Sequence, residues 1–428
     1  MALPTLSTPA DEARNNDKSL FILSLGLFFI WGFATVLIDI LIPKFRSLFA
    51  LSFAEAMLTQ FAFFLGYFIF SLPAGNLVAR IGYLRGIVVG LIIMTCGCLG
   101  FVPATWLGAY PAFLASLFVM AAGITTLQVA ANAVISISGP ATTSSARLTL
   151  AQAFNSLGTF IGPFVGAKLI LDQGTRSAEE ISRLSAPDLA TLRVEEAASL
   201  QLPYLGIAAI LLVLTAVFYF KRDLLPRSTV AARSTGLGFH LLANRRVAYG
   251  VMAIFAYVGA EVSIGSLLVN YLSRPVILGV SEANAGRLVA LYWGGAMIGR
   301  FIGSYLLGRF RPGLVLAVFA ACTISLALLS AISTGVAAAG LILAVGLFNS
   351  IMFPTIFSQS VIGLGDDDTP KAAALLCMGI VGGALLPVLT GLVADQWGLG
   401  LSLIVPAIAY GWVLFFGLFV TRNAASAG

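Results

Sequence analysis

The segment GNLVARIGYLRG, residues 75–86, joins two long apolar runs through a short basic turn that contains Gly82. A turn of so few residues predicts that the helices on either side of it run antiparallel and pack together. A related segment, GSYLLGR at residues 303–309, follows another apolar run in the second part of the chain. The recurrence indicates that the chain consists of two related halves.

The composition around this segment is that of a membrane protein. Hydrophobic residues make up 59% of the 428 residues, and charged residues make up 10%. Soluble domains carry about 25% charged residues, so this chain has too few to cover a surface in water. The basic residues are scattered between apolar runs, so the net charge of +6 does not indicate nucleic-acid binding.

The apolar runs have the length of membrane-spanning helices, which need about 20 residues each. They predict an all-α membrane protein with twelve transmembrane helices in two six-helix halves. The predicted spans are 20–47, 54–79, 85–105, 109–138, 145–172, 202–220, 247–273, 283–309, 313–333, 336–361, 371–396 and 399–420.

Charged segments mark the predicted domain boundaries. A basic linker at 221–246 separates a six-helix bundle at 20–220 from a second one at 247–420, with short tails at 1–19 and 421–428. With the N-terminus inside, 16 of the 24 Lys and Arg residues lie on the inner side. Because basic loops stay in the cytoplasm, both termini and the linker are predicted to be cytoplasmic in the cell (inner) membrane. The role of the charged segment 173–201 is left open.

Two acidic residues fall within the predicted spans. Glu261 is about fourteen residues, or roughly 20 Å, into its span, and Asp39 is deep only if the first helix continues beyond Pro43. A charge at this depth costs about 3 kcal/mol, so both are predicted to be cation-coupling residues. Burial favours the neutral acid, which suits proton coupling, but a carboxylate also binds Na⁺. The alternative is a structural ion pair, of Glu261 with Arg300 or of Asp39 with Lys44.

Amide side chains form a second group of candidates. Gln128 and Asn132 are spaced to share one helix face, as are Gln152 and Asn155. Amides offer donors and acceptors without charge, which suits a ligand covered with hydroxyls; the alternative is hydrogen bonding between helices. Aromatic residues nearby would stack on a sugar ring or simply pack. The predicted substrate-binding residues are Gln128, Asn132, Gln152, Asn155, Tyr257, Glu261, Asn270, Trp293 and Asn349.

Several other functions lack the residues that they need. The chain has no Gly-x-x-x-x-Gly-Lys loop, so an ATP-driven pump is not expected. Its four cysteines lie in apolar runs, and its single histidine, His240, lies in a polar loop. No metal site, cofactor or enzymatic activity is therefore predicted, and the acidic turn at 366–368 is interpreted as a solvated loop.

The chain resembles the fucose–galactose–glucose symporter family of the major facilitator superfamily. The residues that carry the resemblance span nearly the whole chain: IDILIPKF around Asp39, GYFIFSLPAGNLVARIGY, LQVAAN at 127–132, RLTLAQAFNSLGT at 147–159, YVGAEVSIGS around Glu261, and NSIMFPTIFS from Asn349. The segment 75–86 is similar to the signature between the second and third helices of that superfamily, although Ala79 stands where an acid is usual. We assign a conformational gating motif to Gly75, Arg80, Gly82, Arg85, Arg300 and Arg309.

The resemblance implies cation-coupled uptake of a monosaccharide, usually with protons, and it implies that Asp39 is the coupling site. Glu261 matches the glucose/galactose branch, whereas the fucose branch has an amide there and an acid at the place of Gln128. Ile38 and Ala133 depart from the family pattern close to the expected site, so the substrate range is expected to differ.

The sequence thus predicts a secondary active transporter that imports a hexose of the glucose/galactose type through alternating access, with H⁺ as the coupling ion. The alternatives are Na⁺ coupling, another monosaccharide such as fucose, mannose or N-acetylglucosamine, and a multidrug exporter of the same fold. The amide cluster argues against the exporter. The predicted partners are a small-molecule sugar and the lipid bilayer, without nucleic acid, and the protein is predicted to be a monomer.

Overall fold

The computed structural model describes residues 19–36, 49, 53–166, 201–222 and 236–425. These residues are mostly helical, because a chain in lipid must satisfy its backbone hydrogen bonds internally. The helices are α1 (Ser19–Val36), α2 (Phe53–Ile81), α3 (Tyr83–Leu107), α4 (Tyr110–Ile137), α5 (Ser144–Gly166), α6 (Gln201–Phe220), α7 (Arg245–Ser273), α8 (Glu282–Arg309), α9 (Pro312–Ile332), α10 (Gly335–Asn349), α11 (Met352–Val361), α12 (Thr369–Met378), α13 (Gly382–Trp397), α14 (Leu399–Ser402) and α15 (Ile404–Ala425).

Twelve spans follow from these helices in the described part of the chain. Ten are long and apolar enough to cross a membrane, and three of the ten are composed of two helices each: α10 with α11, α12 with α13, and α14 with α15. The other two spans are α5 and α8, which are 23 and 28 residues long but less apolar. Helices α5 and α8 pack against each other in the interior, so their polar residues avoid lipid.

The spans form two halves, which we define by the connection between them. Helices α1–α6 are the N-terminal half, and α7–α15 are the C-terminal half. Within the halves, α3 packs on α4 and α6, and α9 packs on α15. We call the side that carries the connection 221–246 the linker side, and the other side the opposite side.

The two halves are joined on the linker side. At Gly75 in α2, an added Cβ would lie 2.4 Å from the Cβ of Ala374 in α12, so only glycine allows this approach. The hydroxyls of Ser145 in α5 and Ser358 in α11 are 2.7 Å apart, and the Ser304 hydroxyl donates to the Ala146 carbonyl at 2.9 Å. The structure therefore has its linker side closed.

The tenth span is interrupted between Asn349 and Met352, where α10 ends and α11 begins. In a continuous helix, the N–H of residue 354 would donate to the carbonyl of Ser350. Residue 354 is proline, which has no N–H, so the Ser350 carbonyl needs another donor. The eleventh span is interrupted by a 3₁₀ turn at Gly379–Val381.

The predicted spans agree closely with the observed helices. For example, 109–138 corresponds to Tyr110–Ile137, and 283–309 corresponds to Glu282–Arg309. The α2–α3 turn is as tight as predicted, with Gly82 at φ +88°, a backbone conformation that favours glycine. The breaks within the tenth and eleventh spans were not predicted. Asp39, residues 173–200, residues 1–18 and most of the linker lie outside the described residues.

Candidate functional site

A cavity of about 160 Å³ lies between the two halves. Both halves contribute aromatic and polar side chains to it. The lining residues are Trp31, Phe63, Tyr67, Gln128 and Gln152 from the N-terminal half, and Tyr257, Val258, Glu261, Arg300, Phe353 and Ile380 from the C-terminal half.

The cavity lies near the middle of the spans. In α7, which runs from Arg245 to Ser273, Glu261 is about 24 Å from the first residue and about 18 Å from the last at 1.5 Å per residue. The hydrocarbon core of a bilayer is about 30 Å thick, so this position is well inside it. The polar lining therefore lies near the middle of the membrane.

Glu261 is the acid that faces this cavity. Its carboxylate interacts with Tyr257, one turn earlier on α7, and with the charge of Arg300 on α8. Its Oε1 atom has no hydrogen-bond partner among the described residues. A buried acceptor that is left unpaired costs about 1–3 kcal/mol. Glu261 thus lines the cavity with a carboxyl group that still has an unused acceptor for a ligand that carries hydroxyl donors.

A buried network of polar side chains contacts Glu261, in part through its backbone carbonyl. The Asn349 side chain donates from Nδ2 to the Tyr292 hydroxyl at 2.8 Å, and Tyr292 donates to the backbone carbonyl of Glu261 at 3.5 Å. Tyr410 is also fully buried and interacts with both Glu261 and Asn349. Asn349 was predicted from the sequence. Tyr292 and Tyr410 were missed because a tyrosine in an apolar run has no distinguishing pattern.

Three of the predicted amides of the N-terminal half lie together. Gln128 and Gln152 line the cavity, and Gln152 Nε2 donates to Asn132 Oδ1 at 3.3 Å. The Nδ2 of Asn132 has no partner in the described part of the chain. Asn155 serves a different contact, since its Nδ2 donates to the backbone carbonyl of Phe28 at 3.0 Å and so ties α5 to α1.

Five predicted substrate-binding residues are not among those that line the cavity: Asn132, Asn155 and Asn349, whose contacts are given above, and Trp293 and Asn270. Trp293 is 46% exposed and meets the ring of Tyr292 edge-on, with 5.1 Å between centroids. Successive residues of a helix point about 100° apart, so Tyr292 faces the interior and Trp293 does not. Asn270 is exposed and nine residues beyond Glu261 on α7. The rotation of each helix about its own axis therefore places these two side chains away from the cavity in this structure.

Arg300 lines the cavity and contacts both halves. Its Nε donates at 3.2 Å to the Ser350 carbonyl, the one that Pro354 deprives of its helical donor. Its Nη1 donates at 3.3 Å to the carbonyl of Gln152 and also to the hydroxyl of Ser156, both on α5. One guanidinium therefore connects the break in the tenth span with the N-terminal half.

The other residues assigned to the gating motif lie on the linker side, away from this cavity. Four of them surround the α2–α3 turn: Gly75, Arg80, Gly82 and Arg85. Arg309, at the end of α8, is exposed and has its guanidinium carbon 5.0 Å from the centroid of the Tyr305 ring. Arg300 is nine residues earlier, about 14 Å along the helix, so the structure separates it from the rest of the assigned motif.

The acidic turn at 366–368 also lies on the linker side, where it meets both the N-terminal half and the linker. Tyr83, the first residue of α3, interacts with Asp366 and Asp367. His240 Nε2 is 3.4 Å from Asp368 Oδ1, and both side chains are substantially exposed. The residues that the structure describes include no cluster of three or more potential metal ligands from His, Cys, Asp and Glu.

Twelve spans in two halves, with a polar cavity between them at mid-membrane depth, define a secondary transporter that exposes one site to each side in turn. The chain belongs to the Major Facilitator Superfamily, whose family model matches residues 20–376. The predicted fold and superfamily are thereby confirmed.

Individual relatives are similar over almost the full length. A glucose/galactose transporter of Brucella abortus is 44% identical over 425 residues, which cover 99% of each chain. An L-fucose-proton symporter of Escherichia coli is 34% identical, with 95% of this chain and 94% of that protein covered. The crystal structure of FucP, a transporter of the same superfamily in the outward conformation, has a TM-score of 0.86 at 33% identity, covering 94% of this chain and 98% of that one. These names agree with the prediction of a transporter rather than an enzyme.

Proposed function

We propose that this protein imports a hexose of the glucose/galactose type by symport with protons. The observation that carries the proposal is Glu261, whose side chain lines a cavity between the two halves of a transporter fold and whose buried Oε1 has no hydrogen-bond partner among the described residues. A sugar hydroxyl donates to this carboxylate oxygen and removes the cost of leaving it unpaired. The 44% identity to a protein named as a glucose/galactose transporter supports the choice of hexose.

The sugar binds between polar groups of both halves. Gln128 and Gln152 bind hydroxyls from the N-terminal side of the cavity, and Glu261 does so from the C-terminal side. The rings of Trp31 and Phe63 give the cavity flat apolar walls, which suit the C–H faces of a pyranose. Asn132 and Asn349 act one step away, because they hold Gln152 and the tyrosines in place.

The coupling proton binds at Asp39, which lies outside the described residues. This assignment rests on the sequence IDILIPKF and on the similarity to a protein named as a proton symporter. A carboxylate in an apolar environment is neutralised by binding a proton, which the resulting acid releases where water reaches it. Glu261, the second acid that the sequence predicts to take part in coupling, binds the sugar in this proposal, and the proton binds at Asp39.

The direction of transport follows if the linker side faces the cytoplasm of the cell (inner) membrane. The basic residues near the linker favour this orientation. Because the linker side is closed in this structure, the sugar enters from the opposite side, which would be the outside of the cell. The halves then separate at contacts such as Ser145 with Ser358, and the cavity opens inwards.

Uptake of labelled sugar into proteoliposomes tests the proposal directly. We expect a proton gradient directed inwards, with the outside acidic, to concentrate glucose or galactose inside the proteoliposomes. A sodium gradient alone should not concentrate either sugar. The panel should include fucose, mannose and N-acetylglucosamine, together with a lipophilic cation to represent drug export. Uptake driven only by a sodium gradient would identify Na⁺ rather than H⁺ as the coupling ion. A failure of every gradient to concentrate any sugar would overturn the symport proposal.

The assignment of Asp39 has a separate test. In Asp39→Asn the side chain keeps its shape but cannot bind and release a proton, so accumulation should be lost. Exchange of labelled for unlabelled sugar across the membrane needs no net proton movement and should survive. If the variant still concentrates sugar under a pH gradient, Asp39 does not carry the coupling proton.

A further inference from the structure

Arg300 is the residue that joins the proposed sugar site to the contact between the halves. It lines the same cavity as Glu261 and interacts electrostatically with that carboxylate. The same guanidinium also donates to two acceptors on α5, the Gln152 carbonyl and the Ser156 hydroxyl. No other residue lining this cavity combines these two sets of contacts among those that the structure describes.

The three hydrogen bonds of Arg300 differ in what happens when the halves separate. The bond to the Ser350 carbonyl lies within the C-terminal half, and its acceptor is available because Pro354 cannot occupy it. That bond survives any rigid movement of one half against the other. The two bonds to α5 cross between the halves and must break. The Nε bond of Arg300 therefore persists when the halves separate, whereas its Nη1 bonds must be exchanged for others.

The acceptors on α5 are neutral, so other neutral hydroxyl acceptors can replace them. A sugar placed against Glu261 donates one hydroxyl to Oε1 and offers further hydroxyl oxygens to the guanidinium. Hydrogen bonds from a charged donor are the stronger ones, and leaving a partly buried guanidinium such as that of Arg300 without acceptors is costly. Sugar thus gives Arg300 a partner that moves with the C-terminal half.

We propose that Arg300 is a positioning residue that links sugar binding to opening: its bonds to Gln152 and Ser156 hold the linker side closed, and sugar at Glu261 replaces them. This inference rests on the proposed function for the identity of the ligand. The latch itself, between Arg300 and α5, exists in the structure without any ligand and is testable without one.

The test measures the distance between the halves on the linker side. Spin labels at Thr142→Cys and Gly365→Cys report it, since both positions are exposed and a side chain at residue 365 meets no neighbour within 4 Å. The four native cysteines are first replaced. Without sugar, Ser156→Ala and Arg300→Lys should each increase the linker-side-open population, by about tenfold for one charged hydrogen bond.

Controls separate the latch from a general loss of structure. Arg309→Lys changes an exposed arginine on the same helix and should leave the sugar-free distance distribution unchanged. Glu261→Gln should lose the lengthening of the distance on addition of glucose or galactose, because it weakens sugar binding. Thermal melting of each variant in detergent checks that it is folded.

The outcomes distinguish the two proposals. If Ser156→Ala and Arg300→Lys leave the sugar-free distribution as in the wild type, Arg300 is not a latch, whatever the sugar does. If both variants shift the distribution but no sugar in the panel lengthens the wild-type distance, the latch stands and the proposed substrate fails. A wild-type response to sugar that persists unchanged in Arg300→Lys would also overturn the link.

Discussion

At the scale of single residues, the site depends on polar atoms that the fold leaves unpaired. Oε1 of Glu261 in the C-terminal half and Nδ2 of Asn132 in the N-terminal half are both buried without partners among the described residues. Such atoms destabilise the empty protein by about 1–3 kcal/mol each. A ligand recovers that free energy only if it brings donors and acceptors in the matching arrangement, so unpaired atoms select for a polyhydroxylated solute.

Glu261→Gln should weaken sugar binding by about tenfold to one hundredfold, because a neutral acceptor replaces a charged one. Binding of glucose or galactose to the purified protein, measured by calorimetry, checks this expectation. Asp395→Asn is the matched control, since it removes an exposed acid from the same half. An affinity in Glu261→Gln equal to that of the wild type would remove Glu261 from the sugar site.

At the scale of helices, close packing between the halves depends on small residues. Helix α2 approaches α12 at Gly75, where an added Cβ would come within 2.4 Å of the Ala374 Cβ and 2.9 Å of the Pro370 carbonyl oxygen. Backbone atoms cannot yield as a flexible side chain does, so the helices must separate. Small residues at crossing points are how membrane helices achieve close contact, since lipid supplies no hydrophobic force between them.

Gly75→Ala should therefore favour separation of the halves on the linker side and slow transport. We expect sugar uptake to fall by about tenfold or more, because a clash of this size costs about 1–3 kcal/mol. Gly308→Ala is the control, as its added Cβ meets no atom within 4 Å. Uptake rates of the two variants in proteoliposomes, at equal amounts of protein, give the comparison. Equal rates would show that this contact does not control transport.

At the scale of the whole molecule, transport requires the two halves to move against each other. A disulfide between Ser145→Cys and Ser358→Cys, whose hydroxyls are 2.7 Å apart in the native chain, should lock the linker side closed. Oxidised protein should bind sugar but not transport it, and reduction should restore transport. Ser263→Cys with Thr390→Cys joins two spans of one half and should leave transport intact when oxidised. Undiminished transport by the oxidised Ser145–Ser358 pair would contradict movement at this contact.

The orientation of the whole molecule is the remaining prediction. A cysteine at Gly365 on the linker side should resist a membrane-impermeant maleimide in intact cells and react in inside-out vesicles. A cysteine at Val336, exposed at the opposite side, should behave in the reverse manner. The native cysteines are replaced in both variants. The reverse pattern of labelling would place the linker outside the cell.

The sequence by itself determined the membrane class, the extent of the spans and the family. Apolar length and charge are local properties, so 109–138 and 283–309 could be recognised without tertiary structure. Glu261 was likewise identified from sequence, because a charge in an apolar run is conspicuous wherever its helix faces.

Only the tertiary structure decided which polar residues meet. Most spans are apolar on nearly all sides, so their sequences do not indicate how each helix is rotated about its axis. In α5 and α8 the polar residues indicate an interior position but not which neighbour each of them meets. That rotation turned Tyr292 rather than Trp293 inwards and directed Asn155 to α1. The bond from Arg300 to the carbonyl freed by Pro354 depends on the packing of α8 against the broken tenth span. Such contacts join residues distant in the chain, and no local pattern specifies them.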